Sequence, residues 1–225
     1  MESAGLISRA FAVYAKDMRL EFRSRYALNT ILMFGVTTLV IVSFSVGQSN
    51  LPTELLAALY WVIMFFSAMA ALSQVFVREE EAGTALALKL TADPTAVYLG
   101  KLFFNLTIFG LLTVIITPLF FIVTDAPTGG VGPFVLIVVL GVAGLCCATT
   151  LVGAIISKAA IKGALFAVLS FPILILPLIM LVKASDRVLM GEGLGSAAAE
   201  LQGLTAYAVV MFVLSLLLFK FVWRE

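Results

Sequence analysis

The residues best equipped for chemistry in this chain form one run, Arg78-Glu79-Glu80-Glu81-Ala82-Gly83-Thr84. It follows directly on the apolar stretch 71–77. Three consecutive carboxylates have no place in hydrocarbon, and no cluster of catalytic-type polar groups accompanies them. What they can do is recognise charge: acidic side chains that meet a basic patch on another protein fix register and partner choice. The Gly100-Lys101 pair is followed by Leu102. It lacks the upstream glycine and the Ser or Thr of a phosphate-binding loop, so the chain has no nucleotide site. Cys146 and Cys147 are adjacent, which puts them about 100° apart on a helix and off any metal-site spacing. They read as packing residues, and no metal site is expected.

The elements that must position that run are set by composition. The chain has 225 residues, 62% hydrophobic and 12% charged, against about 25% charged in a soluble domain. The charges cluster and leave long apolar stretches, the mark of a multi-pass membrane protein. A net charge of +1 gives no pointer to nucleic acid. Six spans are predicted, at 26–47, 55–77, 102–123, 134–156, 163–182 and 204–222. Among them only the sixth contains a charged residue, Lys220 near its end, and each is close to the roughly 20 residues that cross a bilayer core. Continuous apolar runs exclude an alternating β-barrel pattern. Backbone in lipid must satisfy its own hydrogen bonds, so the spans are helices. The fold class is an all-α integral membrane protein.

Basic residues set the expected orientation. Arg9, Lys16, Arg19, Arg23, Arg25, Arg78, Lys89, Lys101, Lys158, Lys162, Lys220 and Arg224 fall on one side, and only Lys183 and Arg187 on the other. This asymmetry predicts that both termini and the 78–101 loop are cytoplasmic, with the loops at 48–54 and 124–133 external. Residues 1–25 are predicted to be an amphipathic helix rather than a span. Ile7, Phe11, Tyr14, Met18 and Phe22 share one side of it, and Arg9, Lys16, Arg19 and Arg23 the other. Such a helix lies in the interface with its cations facing lipid phosphates. Residues 26–225 then form the permease domain.

Within the 78–101 loop, Ala, Leu and Glu favour helix, and Gly83 and Thr84 interrupt it. Asp93-Pro94 is a turn signal, and Lys101 marks the return into the third span. Two short helical pieces joined by a turn would form an ordered cytoplasmic projection. The spans carry no carboxylate or histidine to move protons or sodium, and their one lysine, Lys220, stands at the basic end of the last span. If the chain transports, its energy therefore comes from a separate ATPase, and the acidic loop is the coupling element.

The stretch 75–105, VFVREEEAGTALALKLTADPTAVYLGKLFFN, resembles the matching loop of the CcmB family, the haem exporter permease of cytochrome c maturation and an ABC-2-type membrane subunit. KDMRLEFRSRYALN at 16–29 and FPILILPLIM at 171–180 resemble it as well. The likeness covers essentially the whole chain. It implies a prokaryotic inner (plasma) membrane location and a non-catalytic subunit that couples ATP hydrolysis to haem delivery. The partners it implies are a CcmA-like ATPase, a CcmC-like haem-handling protein and a small CcmD-like protein. Arg78, Glu79, Glu80, Glu81, Gly83, Thr84, Pro94 and Lys101 would then make up the ATPase-coupling element, with ATP on the partner subunit. The chain has no histidine, the commonest haem ligand, so haem is expected on a partner or at a shared interface. Two other readings fit the residues: an ABC-2 permease for another lipid-like cargo, and a non-transporting scaffold.

Gly144, Ala148, Thr149, Gly153 and Ser157 place small residues at close spacing along the fourth span. They fit intrachain packing and a homodimer seam equally. Pro172 and Pro177 should kink or break the fifth span, and Pro118 should bend the third. The resemblance implies short helices in the external segment 183–203 that dip back into the membrane.

Overall fold

The computed structural model describes residues 2–46, 51–72, 74–127, 131–157 and 162–224. Lys158, parts of the two loops expected to be external (47–50 and 128–130) and the side chain of Lys162 lie outside them. The described residues form helices and no strand: α1 (Glu2–Ser24), α2 (Tyr26–Val46), α3 (Thr53–Leu72), α4 (Gln74–Glu81), α5 (Ala85–Thr91), α6 (Pro94–Thr124), α7 (Val131–Ile156), α8 (Lys162–Leu189) and α9 (Ala198–Arg224). Six helices are long and apolar enough to cross a membrane, one for each predicted span. Their outward faces leave large apolar side chains such as Met33, Phe44, Val114 and Phe221 exposed, as a lipid-facing surface requires.

The helix α7 is the centre of the bundle and is buried along most of its length. Gly144, Ala148, Thr149, Gly153 and Ser157 are all buried inside the chain, and Gly144 faces the Tyr207 ring of α9. The small residues serve intrachain packing, and the homodimer seam is not there. Cys146 and Cys147 are buried and unlinked in the same helix. Polar side chains join helices in pairs: Asn105 Nδ2 donates to Thr150 Oγ1 at 2.8 Å, and Trp61 Nε1 to Ser185 Oγ at 2.9 Å. Such bonds hold membrane helices together where the hydrophobic effect supplies no drive.

Three expectations about helix ends change. The third span was expected to start at 102, but α6 starts at Pro94 and has 31 residues. That length rises about 46 Å, against a hydrocarbon core of about 30 Å. Its first turns, including Lys101, therefore belong to the bundle's basic end, not to the return point of a loop. Pro94 does not break a helix; it opens one, at a position where its missing N–H costs nothing.

Neither Pro172 nor Pro177 breaks α8, which runs on to Leu189. Pro177 cannot donate to the carbonyl of Ile173, and the Tyr207 hydroxyl of α9 donates to that carbonyl instead, at 3.1 Å. Neighbouring helices commonly re-satisfy freed carbonyls in this way. Pro118 likewise lies inside an unbroken α6. The segment 183–203 does not form separate short helices. Its first part continues α8, residues 190–197 turn, and the rest opens α9. The turn is built at Gly191 (φ +83°), where Gly191 N–H donates to Val188 O and Glu192 N–H to Arg187 O. This paired capping pattern needs a left-handed residue and sets the helix end at that glycine rather than at the prolines.

Candidate functional site

The acidic run is the last turn of α4 and the cap that follows it. Gly83 has φ +66°. Its N–H donates to Glu80 O at 3.2 Å, and Thr84 N–H donates to Glu79 O at 3.0 Å. The glycine supplies the left-handed residue of a helix C-cap. An added Cβ there would meet nothing of this chain within 4 Å, so within the chain it is the left-handed backbone, and not lack of space, that calls for glycine. Carboxylates at a helix C-terminus face the negative end of the helix dipole, so Glu79 needs compensation from outside α4.

That compensation comes from two other helices. Glu79 is buried, and its Oε1 accepts from Lys101 Nζ of α6 at 2.7 Å and from Lys16 Nζ of α1. Lys101 is 1% exposed and is also held by Asp17 Oδ2 at 2.9 Å and Val75 O at 3.1 Å. Lys16 lies 3.1 Å from Asp17 Oδ1. Burial by itself would lower the Lys16 pKa, but Asp17 and Glu79 outweigh it and hold the ammonium above its ordinary value. Two lysines and two carboxylates thus close into a neutral quartet that joins α1, α4 and α6. Thr84 Oγ1 donates to Glu79 Oε2 at 2.7 Å, which is why Thr84 gives α5 no side-chain cap. Asp93 also fails to cap α6, because its carboxylate pairs with Arg9.

A second pair flanks the quartet. Arg78 Nη1 meets the buried Glu21 at 2.9 Å, Glu21 Oε1 accepts from Leu28 N–H at 2.9 Å, and the guanidinium lies over the Tyr26 ring at 4.7 Å. Asp17 and Glu21 were missed in the sequence. They share a stripe of α1 with the buried Ala10 and Val13, and its 3- and 4-residue steps were the available signal. The stripe lies between the apolar and basic faces and packs on α6. An added Cβ at Gly100 would come within 2.7 Å of Ala10 O, so only glycine lets the two helices approach this closely. Ile7, Phe11 and Phe22 stay exposed, while Tyr14 and Met18 pack against the core.

Residues 8–218 match the CcmB protein family. The chain belongs to the CcmB family. A search of the curated proteins finds no match. As a CcmB-family protein, the chain is the multi-pass membrane component of a haem exporter ABC system.

In this CcmB-family chain the predicted coupling residues divide. Arg78, Glu79 and Lys101 turn inward and hold the loop in place, the exposed Thr84 bonds Glu79, Gly83 and Pro94 set the helix ends, Glu80 is half-buried and Glu81 is exposed. Of the predicted interfacial cations, Arg9 and Lys16 pair within the chain, while Arg19, Arg23 and Arg25 remain exposed. Arg25, at φ +53°, makes the corner between α1 and α2. Outside the predicted set, Leu86 and Leu90 stand 67% and 80% exposed on α5. Large apolar side chains on a projecting helix are unusual unless something covers them.

Proposed function

We propose that this chain transmits ATP hydrolysis from a separate, CcmA-like ATPase into a haem-delivery complex, with the α4–α5 projection as the docking element. The observation that supports it most is the pairing of a braced root with an apolar tip. The quartet of Lys16, Asp17, Glu79 and Lys101 ties the projection to α1 and α6, while Leu86 and Leu90 face outward one helical turn apart. Movement of the tip would pass to α6 through Lys101 instead of being lost in a flexible loop. The projection stands at the basic end of the bundle, which the positive-inside rule assigns to the cytoplasm, where ATP is. Haem is held by the CcmC-like partner or at a shared interface, because the chain supplies no histidine.

The test is retention of the ATPase on the tagged chain, read beside c-type cytochrome yield. Leu86→Ser with Leu90→Ser should release the ATPase and lower the yield while leaving insertion intact. Loss of interface anchors of this kind costs on the order of 2 kcal/mol or more, above tenfold in affinity. Glu80→Lys with Glu81→Lys should weaken retention more mildly, as exposed interface charges do. Full retention and full yield in the leucine variant would remove the projection from the ATPase interface. Retention with no change in cytochrome yield on deleting the chain would point to another cargo.

A further inference from the structure

A cleft of about 740 Å³ opens beside the quartet, between α1, the start of α2, α4 and α6. We propose that it binds the headgroup of a monoanionic phosphodiester phospholipid, with the phosphate held between Arg23 and Arg78. Arg78 spends one guanidinium nitrogen on Glu21, and its other, Nη2, is buried and has no hydrogen-bond partner. Unpaired buried donors of a charged group are costly, so this guanidinium, whose side chain is 33% exposed at the cleft wall, gains a partner by a small turn when an anion sits beside it. Arg23 lines the same cleft and has no ion-pair partner among the described residues, and Ser24 lines it too.

The charge balance selects the ligand. Lys16 and Lys101 are neutralised by Asp17 and Glu79, and Arg78 by Glu21. Arg23 is left over, so the cleft takes one negative charge. A phosphodiester carries one and holds it across the neutral range; free phosphate near neutral pH is a mixture of mono- and dianion, and its dianion would meet the Asp17 and Glu79 carboxylates uncompensated. Apart from Thr84, the remaining lining is mostly apolar and includes Tyr26, Ala27, Val75 and Phe104. Tyr26 opens α2, and Phe104 lies on α6 just beyond Lys101, where both helices enter their apolar lengths. A ligand seated here has its phosphate at the arginines and an acyl chain along Phe104. This is a lipid's shape, not that of a soluble anion or an acidic side chain of another protein.

The full chain, purified in detergent with whatever subunits accompany it, is titrated with dioctanoyl phosphatidylglycerol, dioctanoyl phosphatidylcholine and inorganic phosphate. Binding is read by native mass spectrometry. The expected result is one phosphatidylglycerol bound in preference to phosphatidylcholine, with no competition from equimolar phosphate. Arg23→Gln should weaken it about fivefold, the scale of one basic residue at an anionic lipid surface. Lys183→Gln, exposed at the other end of the bundle, should leave it unchanged. Arg78→Gln should abolish it, but that variant also loses the Glu21 pair, so Arg23→Gln carries the decision. Equal binding of the two lipids, displacement by phosphate, or equal weakening by Lys183→Gln would each overturn the site. So would an Arg23→Gln variant that binds lipid normally and sheds an accompanying subunit, since the cleft would then hold a protein carboxylate.

Discussion

Lys101 carries more of the architecture than any other charged side chain at the basic end. Its ammonium is buried and contacts two carboxylates and a backbone carbonyl. Removing one member of a buried ionic set leaves the others desolvated and unbalanced, at a cost of about 3–5 kcal/mol. Lys101→Met should therefore lower the unfolding transition of the detergent-purified chain and detach α1. Adding Glu79→Gln to that variant should recover part of the loss, because it removes one orphaned charge. Two losses that simply add would show that the residues do not act together. The same geometry limits what the acidic run can report. A lysine at Glu79 would place a third cation against Lys16 and Lys101, so its effects on partner binding would reflect a damaged fold. Glu80 and Glu81 are the positions that can report on a partner.

Among the helices, α8 is the one whose continuity depends on a neighbour. Pro177 frees the Ile173 carbonyl, and Tyr207 of α9 satisfies it. Tyr207→Phe should cost about 1–3 kcal/mol, the price of a buried acceptor left without a donor. Pro177→Ala restores the backbone N–H, so Tyr207→Phe should be nearly silent in that background. Thermal unfolding of the four proteins in one detergent measures the cycle. An unchanged penalty in the alanine background would mean that the tyrosine matters for packing and not for the carbonyl. The α4–α5 hairpin depends on its surroundings in a similar way. Thr84 and Asp93 stand at N-cap positions, yet both give their side chains to partners, Thr84 to Glu79 and Asp93 to Arg9. The loop is held by tertiary ionic contacts at the expense of local capping.

The whole chain has a polar asymmetry that fits its membership of the CcmB family. α1, α4 and α5 gather at one end of the bundle with most of the basic residues, and the α8–α9 turn with Lys183 and Arg187 stands at the other. We expect the first end to be cytoplasmic. Single cysteines at the exposed positions Ala87 and Gly193, in a chain lacking Cys146 and Cys147, distinguish the orientations. An impermeant thiol reagent added to intact cells should label Gly193→Cys and not Ala87→Cys. The reverse pattern would invert the chain and move the projection away from any cytoplasmic ATPase.

The number and order of the membrane helices were legible in the sequence, because lipid imposes a local rule. About 20 apolar residues must satisfy their own hydrogen bonds, and a window of sequence reports that directly. The two-piece loop was legible for the same reason: Gly83 and the Asp93-Pro94 pair are local signals. The role of Glu79 was not, since its direction depends on Lys16 and Lys101, which reach it from helices distant in sequence. Asp17 and Glu21 looked like ordinary members of a basic surface helix until packing on α6 buried them. At Pro177 propensity counts the lost bond and cannot see the hydroxyl of Tyr207 across the helix pair, so that α8 runs on unbroken was not legible. Hydropathy along the chain determines which segments enter lipid. Which charges are drawn inside, and which remain free to meet a partner, is decided only when the helices pack, because a buried ion is tolerated only where its counter-ion has been brought within bonding distance.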